Sequence, residues 1–110
     1  MKLETIKDKR GTIQDLKVGK DYSVTFITFK KGAIRGNHYH KKTTQIDLIL
    51  KGKLEDESEF TWEKGEINEI EPNEKHAYKA LKDSEMVSIC IGKRIGKNYA
   101  KDTYKCELIS

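Results

Sequence analysis

Proline and cysteine are scarce in this sequence, and long apolar runs are missing. The single proline, Pro72, lies at a predicted turn, so the strands elsewhere keep every backbone donor. Two cysteines are too few to staple a secreted scaffold, and we expect reduced thiols, with Cys90 buried in "MVSICI". No window approaches the roughly 18 apolar residues of a membrane span, and the opening "MKLETIKDKRG" has no apolar signal-like stretch. We therefore expect a cytoplasmic protein with no membrane partner.

Charge of one sign is not concentrated anywhere along the chain. The 22 Lys and Arg residues against 18 Asp and Glu residues give a net charge of +4, but the lysines alternate with acids. A nucleic-acid partner is not expected, because phosphate binding needs clustered basic residues on one face. A mildly positive field still favours a small anionic ligand.

Hydrophobic residues are also few, at 35% against 36% charged residues, so the core must be thin. The length of 110 residues predicts one domain spanning 1–110. A chain this poor in apolar residues gains from covering an edge strand, so we expect a homodimer.

Helical periodicity is missing too, and a period of two takes its place. The segments "DYSVTFITF", "TQIDLIL" and "EINEI" alternate, and glycine-rich or charged turns recur every eight to twelve residues. This rhythm predicts an all-β sandwich or barrel. Within the polar tail, residues 93–110, the run "YKCELI" is either an edge strand or a dimer-forming arm.

Three histidines are present, and two of them lie one residue apart in "RGNHYHKKTTQ". In a strand, His38 and His40 point to the same face with about 6.6 Å between their Cα atoms, a spacing that suits chelation. On the next strand, alternation places Gln45 and Asp47 on one face and isoleucine and leucine on the other, and one of these faces must line the interior. His76 follows the turn "EPNEK", which brings the chain back across the barrel.

These residues resemble the first motif of the cupin family, which is matched at Gly32, His38, His40, Gln45 and Gly52. The second motif is matched more loosely at three further positions: Gly65, Pro72 and His76. The resemblance covers Gly32 to Ala80 and implies a double-stranded β-helix, a jelly-roll-like barrel. It also implies that the family's four metal-ligand positions are occupied here by His38, His40, Gln45 and His76. One letter departs from the motif, because Gln45 stands where the family has glutamate.

Imidazole nitrogens suit Zn, Ni, Fe or Cu ions, and Mn is a further candidate. The sequence therefore predicts one divalent transition-metal ion and no organic cofactor. Three histidines and a glutamine leave the ion's charge uncompensated, which favours an anionic substrate. Asp47 is expected to restore negative charge as a ligand or a neighbouring acceptor, or alternatively to pair with Arg35.

A second resemblance concerns sugar-nucleotide enzymes. "RGNHYHKKTTQ" and "DKRGTI" are similar to segments of dTDP-4-keto-6-deoxyglucose 3,4-ketoisomerases and dTDP-4-dehydrorhamnose 3,5-epimerases. The likeness implies an isomerase or epimerase of a keto-sugar, nucleotide-linked, with His38 and His40 as acid and base. It gives Arg35 a role in catalysis and in binding a diphosphate or enolate oxygen, with Lys41 as a weaker substrate-binding residue. We expect Asp47 to be a further substrate-binding residue.

Three hypotheses therefore remain open, and in two of them the protein is an enzyme. The first is a keto-sugar isomerase or epimerase that needs no metal, which Gln45 and the Arg-Gly context favour. The second is a metal cupin that acts on another small anionic metabolite, which His76 favours. The third is a non-catalytic ligand-binding cupin.

Overall fold

The computed structural model describes residues 5–92 and 102–110. Within them, no helix is long and apolar enough to cross a membrane. The described residues form eleven strands: β1 (Thr5–Asp8), β2 (Gly11–Val18), β3 (Tyr22–Phe29), β4 (Ile34–Tyr39), β5 (Thr43–Lys51), β6 (Lys53–Asp56), β7 (Thr61–Glu63), β8 (Ile67–Ile70), β9 (His76–Ala80), β10 (Ser84–Gly92) and β11 (Tyr104–Lys105).

The strands form two antiparallel sheets. One has six strands in the order β1-β2-β3-β10-β5-β8, and the other has five in the order β11-β4-β9-β6-β7. The longest pairings join β10 to β3 on one side and to β5 on the other. The all-β prediction is confirmed.

Alternation along β5 settles which of its faces lines the interior. Gln45, Asp47 and Ile49 are buried, whereas Ile46 and Leu48 are only half-buried on the outer face. The strand β10 alternates in the same way, and Cys90 is buried on it as expected. Two polar side chains are therefore built into the inner face of the barrel, where each needs a hydrogen-bonding partner.

The hydrophobic core is small, as the composition predicts. The ring of Phe29 packs edge-on against that of Tyr78, with 6.4 Å between their centroids. Full burial of an aliphatic side chain such as Ile49 contributes roughly 1.5–3 kcal/mol. The core consists of Phe29, Ile49, Leu54, Tyr78, Ala80 and Met86.

The tail contributes an edge strand, since Tyr104 and Lys105 pair with Tyr39 and His38 of β4. The side chain of Asn37 anchors the C-terminal end of the chain, because its oxygen accepts hydrogen bonds from the backbone amides of residues 108 and 109, both at 3.0 Å. The part of the tail expectation that concerns residues 93–101 lies outside the described residues.

Candidate metal centre

A bulge in β4 sets the direction of the side chains that the sequence singled out. Gly36 pairs with Ala77 and His38 pairs with His76, so Asn37 is an extra residue in the strand. Gly36 has φ of +94°, and a Cβ there would lie 2.9 Å from the carbonyl oxygen of His76. Because the bulge resets alternation, Arg35 and His38 line the same cavity although they are three residues apart.

The three histidines come together inside the barrel. His38 and His40 extend from the end of β4, and His76 opens β9 directly across from His38. Ring centroids are separated by 4.3 Å between His38 and His76, 4.9 Å between His38 and His40, and 5.4 Å between His40 and His76. One ring nitrogen from each lies within 4.8 Å of the others.

Two of these imidazoles are held neutral. Burial lowers the pKa of His38 to about 4, and the neighbouring His40 adds to the shift. Burial and the proximity of His38 lower the pKa of His76 to about 3. Near neutral pH both rings therefore keep a lone pair, which a metal ion requires.

Each ring nitrogen of His40 faces a protein oxygen. Its Nδ1 lies 2.8 Å from the backbone oxygen of Asp102, and its Nε2 lies 3.2 Å from Oε1 of Gln45. The amide nitrogen of Gln45 donates to both carboxylate oxygens of Asp47, at 2.9 and 3.0 Å, which fixes Oε1 on the histidine side. A neutral imidazole has one N–H. If that N–H is on Nδ1, the lone pair of Nε2 faces another acceptor.

His76 carries a buried nitrogen that lacks a partner. Its Nδ1 lies 3.4 Å from the backbone oxygen of Glu74, while its Nε2 is buried and has no hydrogen-bond partner among the described residues. A buried polar atom without a partner costs about 1–3 kcal/mol. A cation among His38, His40, Gln45 and His76 would satisfy both this nitrogen and the opposed acceptors at His40. The donor set therefore fits a divalent transition metal.

Asp47 lies behind this donor set. It is fully buried, and besides Gln45 it accepts a 2.5 Å hydrogen bond from the hydroxyl of Tyr78, which in turn accepts one from Asn68. Burial raises the pKa of Asp47, and hydrogen bonds from Tyr78 and Gln45 oppose that rise. Burial and the nearby carboxylate raise the pKa of Tyr78. The alternative pairing of Asp47 with Arg35 is not formed, and Asp47 does not line the cavity.

Arg35 is a buried cationic side chain that lines the cavity. Only 8% of it is exposed, its guanidinium carbon lies 5.5 Å from the centre of the Phe29 ring, and one terminal nitrogen donates to the backbone oxygen of Thr28 at 3.3 Å. Its Nε is buried with no partner among the described residues. Burial, and then Arg10, lower the pKa of Arg35, yet a guanidinium remains charged. The guanidinium of Arg35 forms no ion pair among the described residues, although the carboxylate of Asp15 also lines the cavity.

The cavity has a volume of about 390 Å³ and is lined by Arg35, His38, Gln45 and His76 together with apolar side chains such as Ile27 and Met86. Lys41 does not line the cavity. Its ammonium group lies 4.2 Å from the centre of the Tyr104 ring. Of the expected side chains, Arg35, His38, Gln45 and His76 line the cavity, and His40 joins the histidine cluster. Lys41 and Asp47 do not line the cavity, although Asp47 is hydrogen-bonded to Gln45.

Asp102 is a supporting residue that the sequence did not reveal. Its carboxylate accepts hydrogen bonds from the amides of Lys41 and Lys42, both at 3.1 Å, and from the hydroxyl of Thr43 at 2.6 Å. Burial raises its pKa, but these hydrogen bonds outweigh the effect and lower it. Its backbone oxygen holds His40 from 62 residues away, and no local pattern signals such a contact.

No protein-family model matches the sequence, and no curated protein matches it. Among solved structures, the capsular polysaccharide assembling protein CapF from Staphylococcus aureus is 24% identical with a TM-score of 0.77, over 97% of this chain and 33% of CapF. The chain thus spans about a third of the length of CapF.

Two further structures are similar over most of their length. KdgF from Halomonas sp. is 20% identical with a TM-score of 0.70, over 86% of this chain and 90% of KdgF. An RmlC-like cupin from Shewanella frigidimarina NCIMB 400 is 16% identical with a TM-score of 0.72, over 82% of this chain and 84% of that protein. At these identities the likeness establishes the fold alone.

Proposed function

The chain has the cupin fold, and on that premise we propose that it binds one divalent transition-metal ion and acts on a small anionic metabolite. Two observations on buried acceptor atoms carry the proposal, and one ring nitrogen from each of the three histidines lies within 4.8 Å of the others. Nε2 of His40 faces Oε1 of Gln45 at 3.2 Å, and Nε2 of His76 is buried without a partner among the described residues.

The ligands in this proposal are His38, His40, Gln45 and His76. When bound, the ion supplies Lewis acidity to a carbonyl or hydroxyl oxygen of the substrate. The backbone oxygen of Asp102 accepts the Nδ1 proton of His40, and so directs Nε2 towards the site. The carboxylate of Asp47 holds the amide of Gln45 so that its oxygen, and not its nitrogen, faces the histidines.

The substrate class is inferred from Arg35 and from the size of the cavity. A buried guanidinium with an unpaired Nε is suited to bidentate binding of a carboxylate. The volume of about 390 Å³ is near the lower end of the range for ligand pockets, roughly 300–1,000 Å³. We therefore propose a sugar acid or keto-acid of monosaccharide size, with an oxygen beside the carboxylate available to the ion.

The reaction that we propose is isomerisation or epimerisation at a carbon beside a carbonyl. In the metal-bound protein, His38 and His40 would act as ligands and not as the acid and base that the sugar-nucleotide resemblance implies. The hydrogen-bonding position of His40 supports this change, because both of its ring nitrogens are already directed at protein oxygens. The carboxylate of Asp15, which lines the same cavity, would take up the proton beside the carbonyl and return it. Without a metal, His38 would be the remaining candidate for the base.

A nucleotide-linked keto-sugar is the second candidate substrate. It is supported by the placement of Arg10, which lines the same cavity as Arg35, because two guanidiniums suit a diphosphate. Arg10 is however paired with Asp8 at 2.7 Å. The resemblance to CapF, a capsular polysaccharide assembling protein, agrees with a substrate from sugar metabolism in either case. The other proposed partner is a second copy of the chain.

The test uses 2-ketogluconate as the small acid and dTDP-glucose as the nucleotide-linked probe. Binding of each is measured by calorimetry to metal-loaded, metal-stripped and His76→Ala protein. Exchange of the proton beside the ketone of 2-ketogluconate is followed by NMR in D₂O. We expect metal-loaded wild type to bind and exchange the small acid, and the other two samples to do neither.

Lys41→Ala is the matched control, because it removes a cation next to the histidines that does not line the cavity. It should behave as wild type. Exchange that persists in stripped protein and in His76→Ala would contradict a metal-dependent reaction. If 2-ketogluconate binds only in the presence of metal and its proton does not exchange, the protein binds the acid without isomerising it, and the isomerase assignment is contradicted.

A further inference from the structure

The outer face of the six-stranded sheet is apolar across its centre. Residues that point away from the cavity pair across β3, β10 and β5, as in the row Phe26, Val87 and Leu48. Ile91, at the end of β10, is 47% exposed, and Ile67 on β8 is 59% exposed. The apolar face comprises Tyr22, Val24, Phe26, Ile46, Leu48, Leu50, Ile67, Val87, Ile89 and Ile91.

Charges flank this face in a symmetrical way. One row of cross-strand neighbours runs from Lys17 on β2 through Val24, Ile89 and Ile46 to Glu69 on β8. The strand β10 is at the centre of this row. Lys17 lies two strands away on one side, beyond β3 on β2, and Glu69 lies two strands away on the other side, beyond β5 on β8. A cation and an anion therefore stand at equal distances on opposite sides of Ile89.

We propose that this apolar face binds the same face of a second copy of the chain, related by a two-fold axis that runs along β10. Rotation about that axis places β2 of one protomer over β8 of the other. Ile89 then meets its own copy on the axis, Val24 meets Ile46 of the partner subunit, and Lys17 meets Glu69 of the partner subunit. The row from Lys17 to Glu69 is self-complementary in charge, as an isologous interface must be. Glu85, which also points outward from β10, lies opposite Lys51 of β5 in its own sheet.

The size of the face agrees with this occupant. With strands about 4.8 Å apart and residues about 3.4 Å apart, β3, β10 and β5 and the facing parts of β2 and β8 project roughly 600 Å². Two protomers then bury about 1,200 Å², at the lower limit of stable interfaces. Sheets of this kind pack about 10 Å apart with their strands nearly aligned. A face of this size is at the upper end of the range for the largest apolar patch on a typical monomer, about 300–600 Å².

This interface differs from the dimer expected from the sequence, which would cover an edge strand. It also stands independently of the proposed metal site. Ser88 and Cys90 alternate with Ile89 and face the cavity, so the second copy covers the back of the cavity wall and leaves its lining unchanged.

Sedimentation velocity at a series of protein concentrations tests the proposal. The wild-type chain should sediment as a dimer in the tens of micromolar range. Ile89→Lys places two ammonium groups against each other on the axis and should weaken the dimer at least about 100-fold. Phe60→Lys is the matched control, because Phe60 is 54% exposed and lies outside the apolar face. Circular dichroism checks that each variant is folded.

A charge swap tests the axis itself without disturbing the sheet. Lys17→Glu alone, or Glu69→Lys alone, should weaken the dimer about three- to tenfold, since each creates two like-charge pairs. The double substitution should restore wild-type affinity. A monomeric wild type would overturn the proposal and assign the face to another partner. A dimer that tolerates Ile89→Lys, or a double swap no tighter than the single variants, would overturn it as well.

Discussion

Asp47→Asn should reverse the amide of Gln45. The carboxylate of Asp47 accepts the Gln45 amide on both oxygens and the Tyr78 hydroxyl on one of them. An asparagine has a single acceptor oxygen. If that oxygen keeps the Tyr78 bond, the new amide nitrogen faces the nitrogen of Gln45. Rotation of the Gln45 amide relieves this conflict and turns its NH₂ group towards His40.

The reversed amide cannot coordinate a metal, and it donates a hydrogen bond to the nitrogen that should bind the ion. Loss of a supporting residue of this kind weakens metal binding by about 10–100-fold, which corresponds to about 1.4–2.8 kcal/mol. The metal-free protein should remain folded. The assay is competition for Zn²⁺ or Co²⁺ against a coloured chelator, with urea unfolding of the stripped protein in parallel.

Asn68→Ala is the control for this experiment. It removes the other hydrogen bond to Tyr78, at 2.9 Å, and does not contact Gln45. We expect a loss of about 0.5–1.5 kcal/mol in unfolding free energy with unchanged metal affinity. If Asp47→Asn binds metal within twofold of wild type, the assignment of Oε1 of Gln45 as a ligand is refuted.

Three further predictions concern the bulge, the tail and the anion site. Gly36→Ala should lower the unfolding free energy measured in urea by about 1–3 kcal/mol and weaken metal binding, because the new Cβ would press on β9 near His76. Gly32→Ala is the control: Gly32 also has a positive φ, but no atom of the described residues lies where its Cβ would be, so metal affinity should not change. Asp102→Ala should weaken metal binding about tenfold in chelator competition. It removes the carboxylate that fixes residue 102 to residues 41–43, so the backbone carbonyl that holds His40 loses its position. Unchanged metal affinity would show that Asp102 does not position His40. Arg35→Lys should reduce binding of 2-ketogluconate about tenfold or more in calorimetry while metal content stays at the wild-type level, and equal ligand affinity would exclude Arg35 from the anion site.

The sequence predicted the elements with strong local signals. A period of two identified the strands because one face of each is buried, and Pro72 marked a turn because it cannot donate to a ladder. The spacing of His38 and His40 predicted convergence for the same reason, and the structure brings His76 to them.

Other features depended on contacts between distant segments. Strict alternation separates Arg35 from His38, and only the bulge at Gly36 and Asn37, formed against β9, puts both on the cavity wall. The alternation along β5 predicted that Asp47 lies on the same face as Gln45. It did not predict that Asp47 lies behind the donor set and outside the cavity lining. The contact from Asp102 to His40 joins residues too far apart for any local pattern to signal.

The most direct test of the metal centre is elemental analysis by inductively coupled plasma mass spectrometry. Untagged wild-type and His76→Ala proteins are purified without chelator, offered Zn, Ni, Fe, Mn and Cu in turn, and desalted. The account predicts about one ion per chain in the wild type and almost none in the variant, because removing one of four ligands leaves the shell incomplete. Wild-type protein that retains well below one ion per chain with every metal would contradict it.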